Sequence, residues 1–281
     1  MIIGRFAPSP TGALHLGSLY SALASFLHAK SQQGLWRLRI DDLDTPRNVQ
    51  GAVSDILKTL ETFGLYWDGT VLYQSQCLEL YQHVLSELQQ KKLIYACSCS
   101  RKDLETRACT CRKQHINLEK PHALRIKTDG QHIRFNDQLQ GTVEQTLHDD
   151  FVLKRKDNII GYQFAVVFDD KQQGVNQVVR GFDLLHETPK QLYLQQLLGL
   201  KRPDYFHVPI IVDAQGYKLS KQTKATAVNN NAPNQVIFAL LHLLKQQPPN
   251  DLKTACVEEQ LNWAIKNWNI EALKAIQQVK I

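Results

Sequence analysis

The sequence predicts an α/β fold on a parallel sheet, with an inserted α+β subdomain that holds a metal and a short helical region near the C-terminus. Three observations carry this. The chain opens on a strand, a turn and a helix: Ile2–Ala7 reads as a short strand, Pro8-Ser9-Pro10-Thr11-Gly12 breaks it, and Gly17–Lys30 is rich in Leu and Ala. A Cys-bearing segment with little periodicity then interrupts the pattern, and two amphipathic stretches close the chain. With 43% hydrophobic and 21% charged residues in 281, the composition is that of a globular chain and excludes disorder. The 14 Gly and 10 Pro exclude collagen-like and low-complexity classes.

The elements follow in order. Leu35–Ile40 alternates as a second strand, ahead of the acidic loop Asp41-Asp42-Leu43-Asp44. Val53, Ile56, Leu57 and Leu60 fall at helical spacing, so a helix runs over about 50–64; Tyr81, Val84, Leu85 and Leu88 repeat the pattern. Residues 95–120 then hold four Cys and many charges, and Ala123–Leu147 reads as short strands with turns at Asp129-Gly130 and Gln140-Gly141. Ala165-Val166-Val167-Phe168 and Val208–Val212 read as buried strands. Asn229-Asn230-Asn231 is a connector, and helices are expected near 234–246 and 255–277. The division is 1–92 with 149–222 as the α/β domain, 93–148 as the insertion and 223–281 as the helical region.

No run of about 18 apolar residues is present, so no transmembrane helix is expected. MIIGRFAPSPTG lacks the basic and apolar regions of a signal peptide, which makes a reducing cytoplasm the default and free thiols or metal ligands the default for six Cys. A net charge of +6 permits a polyanionic partner without requiring one.

Three clusters carry chemistry. Pro8–Ser18 places Thr11, His15 and Gly17 where a strand turns into a helix, and free N–H groups at a helix start favour anions. Lys218 and Lys221 sit three apart in a polar loop after a strand-like run. Cys97-Ser98-Cys99 and Cys109-Thr110-Cys111 form two paired-thiol units with the donor chemistry of tetrahedral Zn²⁺. His115 competes with Cys109 as the fourth ligand, because Cys111-x-x-x-His115 also has ligand spacing. Four protein ligands leave no open position, so the metal's expected role is structural.

The eleven residues Pro8–Ser18 resemble the HIGH signature of class I aminoacyl-tRNA synthetases, in the form used by the glutamyl and glutaminyl branch. Lys218-Leu219-Ser220-Lys221-Gln222 resembles that class's KMSKS loop. Arg5-Phe6-Ala7-Pro8-Ser9, Arg39–Arg47, Gly161-Tyr162-Gln163 and Val178–Leu185 resemble further blocks of the branch, in the same order. The resemblance runs from Gly4 to about Gln222, and it implies a Rossmann-type catalytic domain. It also implies that Arg5, Phe6, Ala7, Pro8, Ser9, Asp41, Tyr162 and Arg180 bind L-glutamate. Arg5 and Arg180 fork onto carboxylates, and Asp41 accepts from the ammonium. The branch usually has Glu at the position of Asp41, so contact through water is expected there. Thr11, His15 and Gly17 would hold the phosphates of ATP. Lys221, assisted by Lys218, would neutralise the departing pyrophosphate. Mg²⁺ would screen the triphosphate, with no dedicated cage in the sequence. In the insertion the branch has C-x-C, Tyr and Cys; the Tyr position falls on Arg107, and Cys109 stands in for it.

About 60 residues follow the Lys218–Gln222 loop, which leaves no room for an anticodon-reading domain. On this ground the chain resembles the glutamyl-queuosine tRNA(Asp) synthetases, shortened paralogues of the branch. That resemblance implies activation of glutamate without tRNA and transfer to the queuosine base in the anticodon of tRNA(Asp). A cytoplasmic monomer with no membrane contact is expected. The alternative is an enzyme that charges a tRNA 3′ end.

Overall fold

A computed structural model of the chain describes residues 1–114, 116–218 and 228–281. Lys221 and His115 therefore lie outside the described residues.

Strand β1 (Ile3–Phe6) leads through the Pro-rich turn into α1 (Leu16–Lys30) and back to β2 (Leu35–Ile40), parallel to β1 with Ile3 opposite Leu35. Gly34 permits this tight return: a Cβ there would lie 2.7 Å from the Ile2 carbonyl oxygen and 2.9 Å from that of Ala29. After α2 (Ala52–Thr62), the short β3 (Leu72–Tyr73) pairs parallel with β2. Helix α3 (Leu78–Gln90) precedes an antiparallel sheet in which β5 (Ala123–Ile126) lies between β4 (Ile94–Cys97) and β8 (Phe151–Lys154). Within that stretch stand α4 (Arg101–Thr106) and the hairpin of β6 (His132–Asp137) and β7 (Gly141–Thr146).

Helix α5 (Tyr162–Gln172) returns the chain to the parallel array. β9 (Gln177–Gly181), α6 (Thr188–Leu197) and β10 (Asp204–Val208) follow, with β9 and β10 parallel. β9 stands beside β1, and Asn176 joins them: its Oδ1 accepts from Ile3 N at 2.8 Å, while its own N–H reaches the Ile3 carbonyl at 3.0 Å. The β6–β7 turn is tied to β10 by Gln138 N donating to the Tyr205 carbonyl at 2.9 Å. The order is thus β3-β2-β1, then β9-β10, a Rossmann-type arrangement with a crossover at β1.

β11 (Ile210–Val212) pairs with the last strand, β12 (Gln278–Lys280), after α7 (Pro233–Leu243) and α8 (Val257–Asn267). Leu240, Leu241, Leu244, Leu261 and Ala264 pack in one core with Leu23, Leu27 and Trp36, so α1 is covered on both sides. Every α1 residue from Ala22 to Ala29 is buried. A second core joins α3, α5 and α6 to the antiparallel sheet.

Two expectations are corrected. Ala165–Phe168 is not a strand but the middle of α5, where every residue from Phe164 to Asp170 is buried. A short apolar run buried all round shows no period that separates helix from strand. The helix expected over 255–277 ends at Asn267; Trp268 takes an extended ψ of 123°, and Asn269 caps a 3-10 turn over Ile270–Leu273. Asn and aromatic residues are weak helix formers, and the cap competes with continuation. Among the described residues no helix is long and apolar enough to cross a membrane.

Candidate active site

A cavity of about 770 Å³ opens at the carboxyl ends of β1, β2 and β9, where a doubly wound sheet places its ligand. Arg5, Phe6, Ala7, Pro8, Ser9, Thr11, His15, Gly17, Tyr162, Arg180 and Lys218 all line it. Asp41 is absent from the lining; its carboxylate turns inward to Arg39 Nε at 2.6 Å. Arg39, Arg47, Ser18, Ser21 and Asp183 line the cavity without having been singled out from the sequence.

The end of the cavity at α1 is built by backbone. Gly12 takes φ of +130°, a conformation a side chain resists, as the chain passes from Thr11 toward α1. His15 is the N-cap of α1. Its Nδ1 accepts from Ser18 N at 3.3 Å and its Nε2 lies 3.0 Å from Ser18 Oγ. The first turn carries no acidic residue, and His15, Gly17 and Ser18 at the start of the helix line the cavity, so its positive end is turned toward it.

Three arginines form the opposite wall, and they differ in charge balance. Arg39 is fully buried and holds Asp41 at 2.6 Å and Asp170 at 2.7 Å, with Asp169 at 3.6 Å. Arg5 Nε shares Asp170 at 3.3 Å. Burial opposes ionisation of Asp170, yet Arg5 and Arg39 hold its carboxyl below the usual range. Burial pushes Asp169 up to about 6, against the pull of Arg39 and the donors Tyr81 Oη at 2.6 Å and Gln74 Nε2 at 2.7 Å. Arg180 is different. It is buried, and among the described residues no carboxylate lies within 4 Å of it. Its partners are neutral: His207 Nε2 at 3.0 Å, Gln191 Oε1 at 2.9 Å and Thr188 Oγ1 at 2.7 Å. An arginine buried among neutral acceptors keeps its charge for a ligand anion.

Gln191 Nε2 passes on to Gln163 Oε1 at 2.9 Å, and Gln163 donates to Glu187, so the block after Tyr162 is tied to Arg180. Lys218 ends a tight turn after β11 and its Nζ meets Asp183 Oδ2 at 2.6 Å.

The four-cysteine cluster stands outside the cavity lining. Sγ atoms of Cys97, Cys99, Cys109 and Cys111 fall within 4.8 Å of one another, with 3.6 Å between Cys97 and Cys109 and between Cys99 and Cys111. A tetrahedron with Zn–S bonds of about 2.3 Å has edges of about 3.8 Å, so the spacing fits Zn²⁺. It is far from the roughly 2 Å of a disulfide, and all four thiols are free. Burial pushes Cys97 up to about 12; Cys111, despite its burial, is lowered to about 6 by the Ser98 backbone N–H and hydroxyl.

The sequence matches the family described as class I tRNA synthetases (E and Q), catalytic domain, over residues 1–117 and 110–278. The chain belongs to that family. Among curated relatives of this class I chain, a protein of Dechloromonas aromatica is 44% identical over 285 residues, covering 96% of this chain and 95% of its own length. One from Escherichia coli is 43% identical over 278 residues, with 96% and 90% covered. Both are called glutamyl-Q tRNA(Asp) synthetase. A crystallised glutamate tRNA ligase of Elizabethkingia meningosepticum, in complex with its amino acid, superposes with a TM-score of 0.82 at 23% identity. That match covers 99% of this chain and 66% of the ligase, and it shows that the fold is that of the class I synthetases.

Proposed function

We propose that this class I enzyme activates L-glutamate with ATP in the absence of tRNA and transfers the glutamyl group to the queuosine base at the anticodon wobble position of tRNA(Asp). The observation that carries the amino-acid choice is Arg180, a buried cation with neutral partners in the wall of a cavity that also holds a helix N-terminus. The choice of acceptor rests on the relatives, whose names specify it.

In the first step the α-carboxylate of glutamate attacks the α-phosphorus of ATP and pyrophosphate leaves. Arg180, with Arg5 behind it, binds and orients the amino acid. Thr11, His15 and the N–H groups around Gly17 receive the phosphates. Lys218 and Lys221 neutralise charge that grows on the pyrophosphate, a contact strongest in the transition state. Mg²⁺ screens the triphosphate when bound. In the second step a hydroxyl of the queuosine cyclopentene ring attacks the mixed anhydride; its proton is lost, AMP departs and an ester remains. Proximity accelerates that step, since the adenylate is a good leaving group. Asp41, held by Arg39 outside the cavity lining, would reach the substrate ammonium through water.

Cys97, Cys99, Cys109 and Cys111 would hold a structural Zn²⁺ that closes the segment between β4 and β5. In this reading 1–92 with 149–222 form the catalytic domain, 93–148 the insertion and 223–281 the helical region of a cytoplasmic monomer. Glutamate-dependent ATP–pyrophosphate exchange without tRNA tests the first step. Transfer of labelled glutamate to tRNA(Asp) with and without queuosine tests the second, and label on the queuosine-free tRNA would indicate 3′-end charging instead.

A further inference from the structure

Arg180 is held from behind by a chain of buried groups that begins in the hairpin between α3 and α5. His207 of β10 lies directly opposite Arg180 of β9 in the parallel register. Its ring is fully buried and stacks on Tyr205 at 6.1 Å, and Arg180 Cζ lies 5.2 Å over the same Tyr205 ring. Arg180 Nε carries a proton and has no lone pair to offer. His207 Nε2, 3.0 Å away, must therefore accept, and the imidazole proton must sit on Nδ1. That proton meets Asp137 Oδ2 at 2.6 Å. Asp137 is fully buried at the end of β6, and its Oδ1 is occupied by three backbone donors: Leu139 N at 3.1 Å, Gln140 N at 2.9 Å and His207 N at 3.3 Å. The carboxylate therefore cannot turn. Burial holds His207 down to about 4, although Asp137 pulls it upward, so the ring stays neutral around pH 7.

We propose that His207, fixed in one tautomer by Asp137, is a positioning residue for amino-acid recognition. It locks the Arg180 guanidinium through Nε without placing a carboxylate against it, so that the N–H left over on Nη1 meets a substrate carboxylate. A carboxylate in the place of His207 would hold Arg180 as firmly but would neutralise it. The hairpin of β6 and β7 thereby reaches the proposed glutamate pocket through Asp137 and His207. This rests on the reading that Arg180 takes a carboxylate of glutamate.

Asp137→Asn tests it with almost no change in shape. The three backbone donors keep the amide oxygen at Oδ1, which places the NH₂ opposite His207 Nδ1. Nδ1 must then accept, Nε2 gains the proton, and two N–H groups oppose each other at Arg180 Nε. Nitrogen-15 spectra of the full chain read the tautomer without any assay: Nδ1–H in the wild type and Nε2–H in the variant are expected. In ATP–pyrophosphate exchange the variant should show a KM for glutamate raised about tenfold or more, with the KM for ATP within about twofold. His207→Leu should do the same, and His207→Gln, which restores an acceptor near the Nε2 position, should recover most of the loss. An Nε2–H tautomer in the wild type, or an unchanged glutamate KM in both Asp137→Asn and His207→Leu, overturns the proposal. Absence of glutamate-dependent exchange in the wild type would instead sink the functional reading, while the spectra still decide the tautomer.

Discussion

At the scale of single residues, the three pocket arginines separate by how their charge is balanced. Arg180→Ala removes a guanidinium with neutral neighbours. It should raise the KM for glutamate by roughly 100-fold and leave the KM for ATP little changed, while the buried acceptors it strands on Gln191 and His207 lower the melting temperature as well. Arg5→Ala also raises the glutamate KM, but it takes one of two cations from buried Asp170 and should cost about 3 kcal/mol of stability besides, measurable by denaturant titration. Lys221→Ala should lower the kcat of glutamate activation by roughly 100-fold with little change in glutamate binding, because its partner charge develops in the transition state. Most of this site was legible as contiguous strings: Arg5–Ser9, Thr11, His15, Gly17, Tyr162 and Arg180 do meet in one cavity. Asp170, Asp137 and His207 were not legible. Asp170 meets Arg39 131 positions away and Asp137 meets His207 70 positions away, and Asp170 lies just past a run that reads as a strand and folds as a helix. Asp41 was visible as a short-armed substitute for Glu, but its inward turn to Arg39 is a tertiary fact.

At the scale of elements, the segment between β4 and β5 has few apolar residues, and the four thiols are placed to tie it together through the proposed Zn²⁺. Removing Zn²⁺ with a chelator should make residues 95–120 protease-sensitive while the parallel sheet stays folded. Cys109→Ser should lose the metal; if zinc survives it and is lost with His115→Ala, the ligand set is wrong. The C-terminal helices dock on α1 through Trp268 Nε1, which donates to His28 Nδ1 at 3.3 Å beside the Phe206 ring. Burial holds His28 down to about 4, so the unfolded chain binds its proton first, near 6.5. His28 therefore lowers stability as pH falls from about 6.5 to 4. Buried His207, also held near 4, adds to this effect, and buried Asp169, with its carboxyl near 6, works in the opposite direction, so the net curve mixes all three. The difference in unfolding free energy between wild type and His28→Gln isolates the first effect. It should be flat above pH 7 and shift against the wild type by up to about 3 kcal/mol toward pH 4. The helix α1 and strands β1 and β2 were legible because Leu, Ala and alternation follow simple periods. The end of α8 was not, since the apolar pattern continues past Asn267 into a 3-10 turn that still buries Leu273.

At the scale of the molecule, the parallel array and its flanking α1 set the cavity, and the antiparallel segment supports it from the side through β6 and β10. The helical region covers α1 from behind, so the helix N-terminus is aimed at the cavity by a core on both faces. Among the described residues, the arginines of the proposed glutamate pocket are ordered by Asp170, His207 and Gln191 within the chain. The most direct test is therefore sequential. Purified protein is incubated with glutamate, ATP and labelled pyrophosphate without tRNA, and then with labelled glutamate and tRNA(Asp) that contains or lacks queuosine. The account predicts exchange in the first stage and label only on the queuosine-containing tRNA in the second. Exchange that requires tRNA, or equal label on both tRNAs, would contradict it.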